Sequence, residues 1–254
     1  MNIMAGKAGA AALRSGDADP AKCQALSDSW QVRHFREAQM TTPGHLEVGA
    51  GGRITGHAKI GYNTPFPTKN GSWGSGAMQG VVMHTMVGNL PGTIELFNNP
   101  APGGDPGRAV SAHFGIDQQG NIHQFGPIGK GWIAWAEVAG NAAWYSIEHA
   151  DNGNTRNPLT DAQITASAQL VEVLSRFAGF PLEVTDSVAG RGYGTHVMGG
   201  AAWGGHSCPG PGPRAGQRAE IIALARAIRA GDKPPTRAEA LAAAKLVAAY
   251  VKAH

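Results

Sequence analysis

Between residues 78 and 230, stretches that read as short buried strands alternate with stretches patterned as amphipathic helices. A chain with that alternation folds as an α/β domain, here one mixed central β-sheet flanked by helices. Met78–Met86 is apolar almost throughout, the pattern of a strand covered on both faces. Its two-residue period sets Val82, His84 and Met86 on one face and Val81, Met83 and Thr85 on the other. Ala112–Asp117 and Asn121–Phe125 flank Gln118-Gln119-Gly120, which is a hairpin signal. Ser146–Ala150 reads as a further strand with Ser146, Glu148 and Ala150 on one face. A carboxylate in mid-strand belongs either to a site or to an exposed edge.

Two helices follow. Thr160-Asp-Ala-Gln163 is a capping box, and Ile164, Val171, Leu174 and Phe177 form the apolar stripe behind it, with Gly179 as the stop. From about Arg214 to Ala230 a second helix turns Ile221, Ile222, Ala225 and Ile228 inward and stops at Gly231. The Gly-, Pro- and Asn-rich runs 60–76 and 88–107 read as loops. Beyond Lys233-Pro-Pro235, a second capping box at Thr236-Arg-Ala-Glu239 opens an Ala-rich C-terminal helix. The expected division is an accessory segment over 1–55, with a helix around 21–40, a main domain over 56–232 and a terminal helix over 233–254.

One stretch carries chemistry: Thr195-His196-Val-Met-Gly-Gly-Ala-Ala-Trp203-Gly-Gly-His206-Ser-Cys208-Pro209-Gly210. Imidazole and thiolate are ligands that zinc prefers, and glycines let a loop curl until distant ligands converge. A catalytic zinc site needs three protein ligands and an open position. The loop supplies His196 and Cys208; the best third candidate is His84, near the end of its strand, where α/β sheets hold their sites. Taken alone, the loop also reads as a buried thiol with surface histidines around it.

Composition narrows the function classes. The formal charge of +3 is mildly basic, which suits an anionic polymer such as a bacterial wall and is too weak to argue nucleic acid. No run approaches the roughly 20 apolar residues of a membrane span, and the start has no signal-peptide pattern. If Cys208 holds a metal, Cys23 is an odd thiol and no disulfide framework exists. A zinc deaminase would need H-x-E followed by P-C-x-x-C, and this chain has no P-C-x-x-C.

The order His84, hairpin Ser111-Ala112-His113-Phe114…Gln119-Gly120, Asn141…Ser146-Ile147-Glu148, amphipathic helix and His196…His206-Ser-Cys208-Pro-Gly resembles the zinc-dependent N-acetylmuramoyl-L-alanine amidases. That family takes in bacteriophage lysozyme-amidases, muropeptide amidases and catalytic peptidoglycan recognition proteins. The resemblance spans roughly residues 78–230. It implies one Zn2+ per chain, held by His84, His196 and Cys208. The carboxylate of the family's N-x-x-S-I-G-I-E motif corresponds to Glu148, and a family lysine two positions before the last ligand is replaced by His206. A tyrosine that some phage members carry before the hairpin histidine is Ala112 here, so acid-base work falls to Glu148. The long gap before Cys208 leaves His196 or His206 as the second ligand; two ligands only one residue apart fit one tetrahedral ion poorly, which favours His196.

The implied reaction is hydrolysis of the amide between N-acetylmuramic acid and L-alanine, with Glu148 moving the proton and His206 stabilising the oxyanion. His113, Trp203 and Thr85 are candidate substrate contacts, each with a structural role as its alternative. The implied partner is peptidoglycan or a muropeptide, met by a monomer without nucleic acid or membrane insertion. Lacking an export signal, the chain is expected to accumulate in a cytoplasm, the host's if it is a phage endolysin. The competing readings are a non-catalytic peptidoglycan-binding module and a cytosolic muropeptide-recycling amidase.

Overall fold

The computed structural model describes residues 45–56, 59–63, 78–129 and 132–231. The expected helices around 21–40 and over 236–254 lie outside these residues. Among them is a six-stranded mixed sheet built from β3 (Ile60–Tyr62), β4 (Gly80–Thr85), β5 (Phe114–Ile116), β6 (Ile122–Gln124), β7 (Trp144–His149) and β8 (Gly192–Thr195), in the order β3-β6-β5-β7-β4-β8. Only the β5–β6 hairpin is antiparallel; every other neighbour pair is parallel. Two short strands, β1 (Glu47–Val48) and β2 (Ile54–Thr55), pair separately.

Alternation along β4 and β7 divides the sheet's two faces. Val81, Met83, Tyr145 and Ile147 join the main core, together with Leu170, Leu174, Ile221 and Ile228 from two helices. Those helices are α2 (Asp161–Ala178) and α3 (Arg214–Arg229). Both capping-box bonds of α2 are made, and Gly179 closes it in the left-handed conformation that glycine adopts without strain. Phe177, expected in the inward stripe, is 48% exposed, because successive three-residue steps from Val171 through Leu174 fall short of a full turn and drift off the inward face.

The opposite face holds Val82, packed with Trp144 and Trp203. A helix absent from the sequence reading also covers part of this face: α1 (Leu90–Asn98) stands where a loop was expected. Asn89 caps it by accepting from the Gly92 N–H, and Pro91 occupies its first turn, where a missing N–H costs nothing. Leu90 and Phe97 pack against Phe125. Gly115 lets these side chains close in: a Cβ there would sit 2.8 Å from Leu90 Cδ1 and 3.0 Å from both Met86 and Phe125, and they would have to shift.

Leu46 and Ile54 are buried in the main core, and the compact unit that contains the sheet runs from Pro43 to Ala230. Arg176 of α2 ties this edge down by donating to the Leu46 carbonyl at 2.7 Å.

Candidate active site and metal centre

The sheet register assembles the site. Parallel pairing sets His84 of β4 beside Glu148 of β7, and Glu148 beside Gly115 of β5. Met83 pairs with Thr195 of β8, so His196, the next residue, emerges alongside His84. One row across the carboxyl ends of four strands therefore reads Gly115, Glu148, His84, His196, where ligand sites of open α/β sheets lie. Gly115 keeps the row open, since a larger side chain there would meet α1.

His84, His196 and Cys208 each bring one ligand atom into a group whose members all lie within 4.8 Å of one another. The carboxyl of Glu148 stands beside them, its Oε1 3.9 Å from His84 Nδ1. His206 is exposed, with its ring centroid 4.9 Å from that of His196. It lies beside the cluster at its solvent side, not within it.

The loop is held by backbone bonds. His196 Nε2 lies 2.8 Å from the Trp203 carbonyl, which can only accept, so Nε2 carries the proton and Nδ1 keeps its lone pair. The Val197 N–H donates to the Cys208 carbonyl at 2.9 Å, closing the loop on itself. The Thr85 N–H donates to Cys208 Sγ at 3.2 Å. Behind the sulfur, Thr85 Oγ1 donates to Asp151 Oδ2 at 2.7 Å and accepts from the buried guanidinium of Arg214 at 3.1 Å. Arg214 also donates to the carbonyls of Asn157, His149 and Ala150.

The electrostatics of this cluster favour a cation. Burial lowers the pKa of His84 and brings that of His196 down to about 4, so both imidazoles are neutral near pH 7, the form that can bind a metal. Burial, reinforced by Glu148, pushes the Cys208 thiol far up. Desolvation also raises Glu148, with Glu137 and Asp151 adding to the effect and His84 opposing it. Oε2 of Glu148 and Oε2 of Glu137 are buried with no hydrogen-bond partner among the described residues. A divalent ion in an N2S donor set would satisfy a group this rich in buried acceptors, and the residue types suit zinc.

The three expected substrate contacts have other places. His113 is fully buried, accepting the Ser146 N–H on Nδ1 at 3.1 Å, with its ring edge-on to Trp132 and Tyr145. Trp203 is 3% exposed and packs against Trp144 and the Gly140 segment, so it anchors the loop and has no open face for a sugar. Thr85 is buried behind Cys208, where its backbone orients the sulfur. In this structure all three side chains are buried and serve packing or hydrogen bonding.

Sequence reasoning missed Glu137. It is fully buried, with Oε1 2.9 Å from His84 Nε2. Nothing in Ala134-Trp-Ala-Glu137-Val-Ala-Gly140 has ligand spacing, and the contact exists only because the fold folds this segment over β4.

With this geometry in place, relatives can be compared. The family described as N-acetylmuramoyl-L-alanine amidase matches residues 74–211, more than half of the chain. N-acetylmuramoyl-L-alanine amidase A of Achromobacter lyticus is 30% identical over 132 residues, covering 52% of this chain and 69% of its own length. Among solved structures, Staphylococcus aureus hydrolase AmiA in complex with its ligand superposes with a TM-score of 0.51 at 15% identity, covering 82% of this chain and 94% of that one. N-acetylmuramoyl-L-alanine amidase LysC from Clostridium intestinale URNW gives a TM-score of 0.43 at 17% identity, covering 69% and 99%. The AmiA likeness speaks to the fold; the family match speaks to the chemistry. The chain belongs to the N-acetylmuramoyl-L-alanine amidase family.

Proposed function

We propose that this chain is a zinc-dependent lytic amidase acting on whole cell wall, of the kind a phage endolysin supplies, and that His84, His196 and Cys208 hold the metal. The observation that carries the reading is the pairing of His84 with Glu148 across adjacent parallel strands, at the side of a three-ligand cluster. Zinc bound there would polarise the scissile carbonyl and make water a usable nucleophile near neutral pH.

The chain's own residues do the rest. Amide hydrolysis requires a proton to leave the attacking water and reach the departing L-alanine nitrogen. Glu148 is the base and then the acid: it stands beside the cluster, and burial raises its pKa above the usual carboxylate value, the direction that favours returning a proton. His206, exposed beside His196, presents a ring N–H to the oxygen that gains charge, a role worth about 2.7–4 kcal/mol where such donors have been removed. The mild positive charge of the chain favours the polyanionic wall over a small soluble muropeptide. We take the protein to act as a monomer and to be stored in a cytoplasm until it reaches the wall.

A digest of purified sacculi and of soluble muropeptides tests this. New L-alanine amino termini without new reducing ends, from intact sacculi and abolished by a zinc chelator, are expected. Cleavage that survives chelation sinks the metal reading, and cleavage of soluble muropeptides alone moves the enzyme to recycling. Tight binding to sacculi without release of either product would make it a recognition module.

A further inference from the structure

We propose that Glu137 is a positioning residue for the metal site: its carboxyl group accepts the Nε2–H of His84 and so dedicates Nδ1 of that ring to the metal. The inference rests on the reading of His84 as a ligand. It adds a residue that lies outside the ligand set and outside the acid-base pair.

Four observations converge on it. Glu137 Oε1 is 2.9 Å from His84 Nε2, while the other ring nitrogen, Nδ1, faces Glu148. A neutral imidazole carries one proton, so a partner that accepts at Nε2 leaves the lone pair at Nδ1. A carboxyl oxygen accepts that bond whether or not the second oxygen carries a proton, so the role does not depend on the charge of Glu137. Metal-bound histidines commonly donate their second N–H to a carboxylate in this way.

Burial is the second observation. Glu137 is wholly enclosed, and a carboxyl group placed there without a task would only cost desolvation. The third is how firmly its backbone is held. Asn141 Oδ1 accepts from the N–H groups of both Ala136 and Glu137, at 2.9 and 2.6 Å. The fourth is local strain: Val138, the next residue, has φ +50° and is 65% exposed. A β-branched residue in the left-handed region costs free energy that no packing of its own side chain returns here.

The same segment is locked to the second ligand. A Cβ on Gly140 would sit 2.6 Å from the Trp203 ring, so indole and backbone are in direct contact. Trp203 in turn offers its carbonyl to His196 Nε2. Both ligand histidines thus take their ring orientation from one interlocked pair of segments, Glu137 acting on His84 and Trp203 on His196.

The test has two readouts. The tautomer of His84 in metal-free protein is read by long-range 1H–15N correlation, assigned with a His84→Asn variant. Zinc affinity is read by competition with a chromophoric chelator. The parent should show His84 protonated on Nε2. Glu137→Ala should mix the tautomers and weaken zinc binding by about 10- to 100-fold. Glu137→Gln, whose amide oxygen can still accept, should recover the Nε2–H tautomer and most of the affinity. Circular dichroism confirms that each variant is folded, and the tautomer of the parent needs no variant at all. His84 protonated on Nδ1 in the parent, or parental zinc affinity in folded Glu137→Ala, would overturn the proposal. If the parent binds no zinc while His84 carries its proton on Nε2, the metal reading fails and the Glu137–His84 contact stands.

Discussion

Acid should unfold this protein through two histidines that take no part in the reaction. His113 and His149 are both fully buried, and burial brings each down from 6.5 to about 3. His149 donates from Nδ1 to the His84 carbonyl at 3.0 Å and meets Ser167 Oγ at 2.7 Å through Nε2. The Arg214 guanidinium beside it opposes a second proton, and a proton on His84 would add to that repulsion. His113 accepts at Nδ1 from the Ser146 N–H, so a proton there would face a donor.

Between pH 6.5 and 3 the unfolded chain takes up a proton at each position that the native state refuses, so stability falls as pH falls through that window. The slope is about 1.4 kcal/mol per pH unit for each histidine. Going from pH 7.5 to 5.0 therefore removes about 2 kcal/mol for each, or about 4 for the pair, a large part of a usual folding free energy. Urea unfolding of chelator-treated protein at several pH values measures this, with His149→Asn and His113→Gln as comparisons. Each variant should lose about half of the pair's pH dependence, whatever its stability at pH 7.5. A His149→Asn protein with the parental dependence would refute the argument for that residue.

Trp203→Ala should cost about 3–5 kcal/mol, since a buried indole between Trp144 and Gly140 is deleted, and should weaken zinc binding as the carbonyl that fixes His196 shifts. Chemical unfolding and chelator competition read the two effects; a loss below about 1 kcal/mol would show that the loop does not depend on its anchor. Val138→Gly should raise the unfolding free energy by about 0.5–1 kcal/mol, and the midpoint with it, because release of left-handed strain outweighs the greater freedom of glycine in the unfolded chain. A lower midpoint would mean that the exposed isopropyl group makes a contact that stabilises the segment.

The parts of this site that sequence reveals are those fixed by residue type and chain order. His84 stands out as a histidine inside an apolar strand, His196 and Cys208 as ligands in a glycine loop, and Glu148 as a carboxylate where a strand should be apolar. Glu137 carries no such mark, because its partner lies 53 positions away and only folding brings them together. Arg214 opens a helix in the sequence, and its burial behind Cys208 depends on three carbonyls at the ends of other elements. Trp203 sits among glycines that suggest an exposed loop; those glycines are what let the indole sink in, since a Cβ on Gly199 would fall 2.0 Å from its ring. Helix α1 was hidden by Pro91 and Gly92, poor helix formers that are tolerated in a first turn.

The strand order β7-β4-β8 also sets a schedule. A ribosome delivers His84 and Glu148 early, and the loop from His196 to Cys208 only later. At roughly 5–20 residues per second, the interval between Glu148 and Cys208 is about 3–12 s. Until β8 (Gly192–Thr195) is made, β4 has one neighbour and one bare edge. A nascent or truncated chain that stops before β8 has Glu148 and His84 and lacks His196 and Cys208. It also carries an open apolar strand that invites pairing with other chains. Synthesis of β8 covers that edge, and Cys208, a short stretch later, completes the three-residue cluster.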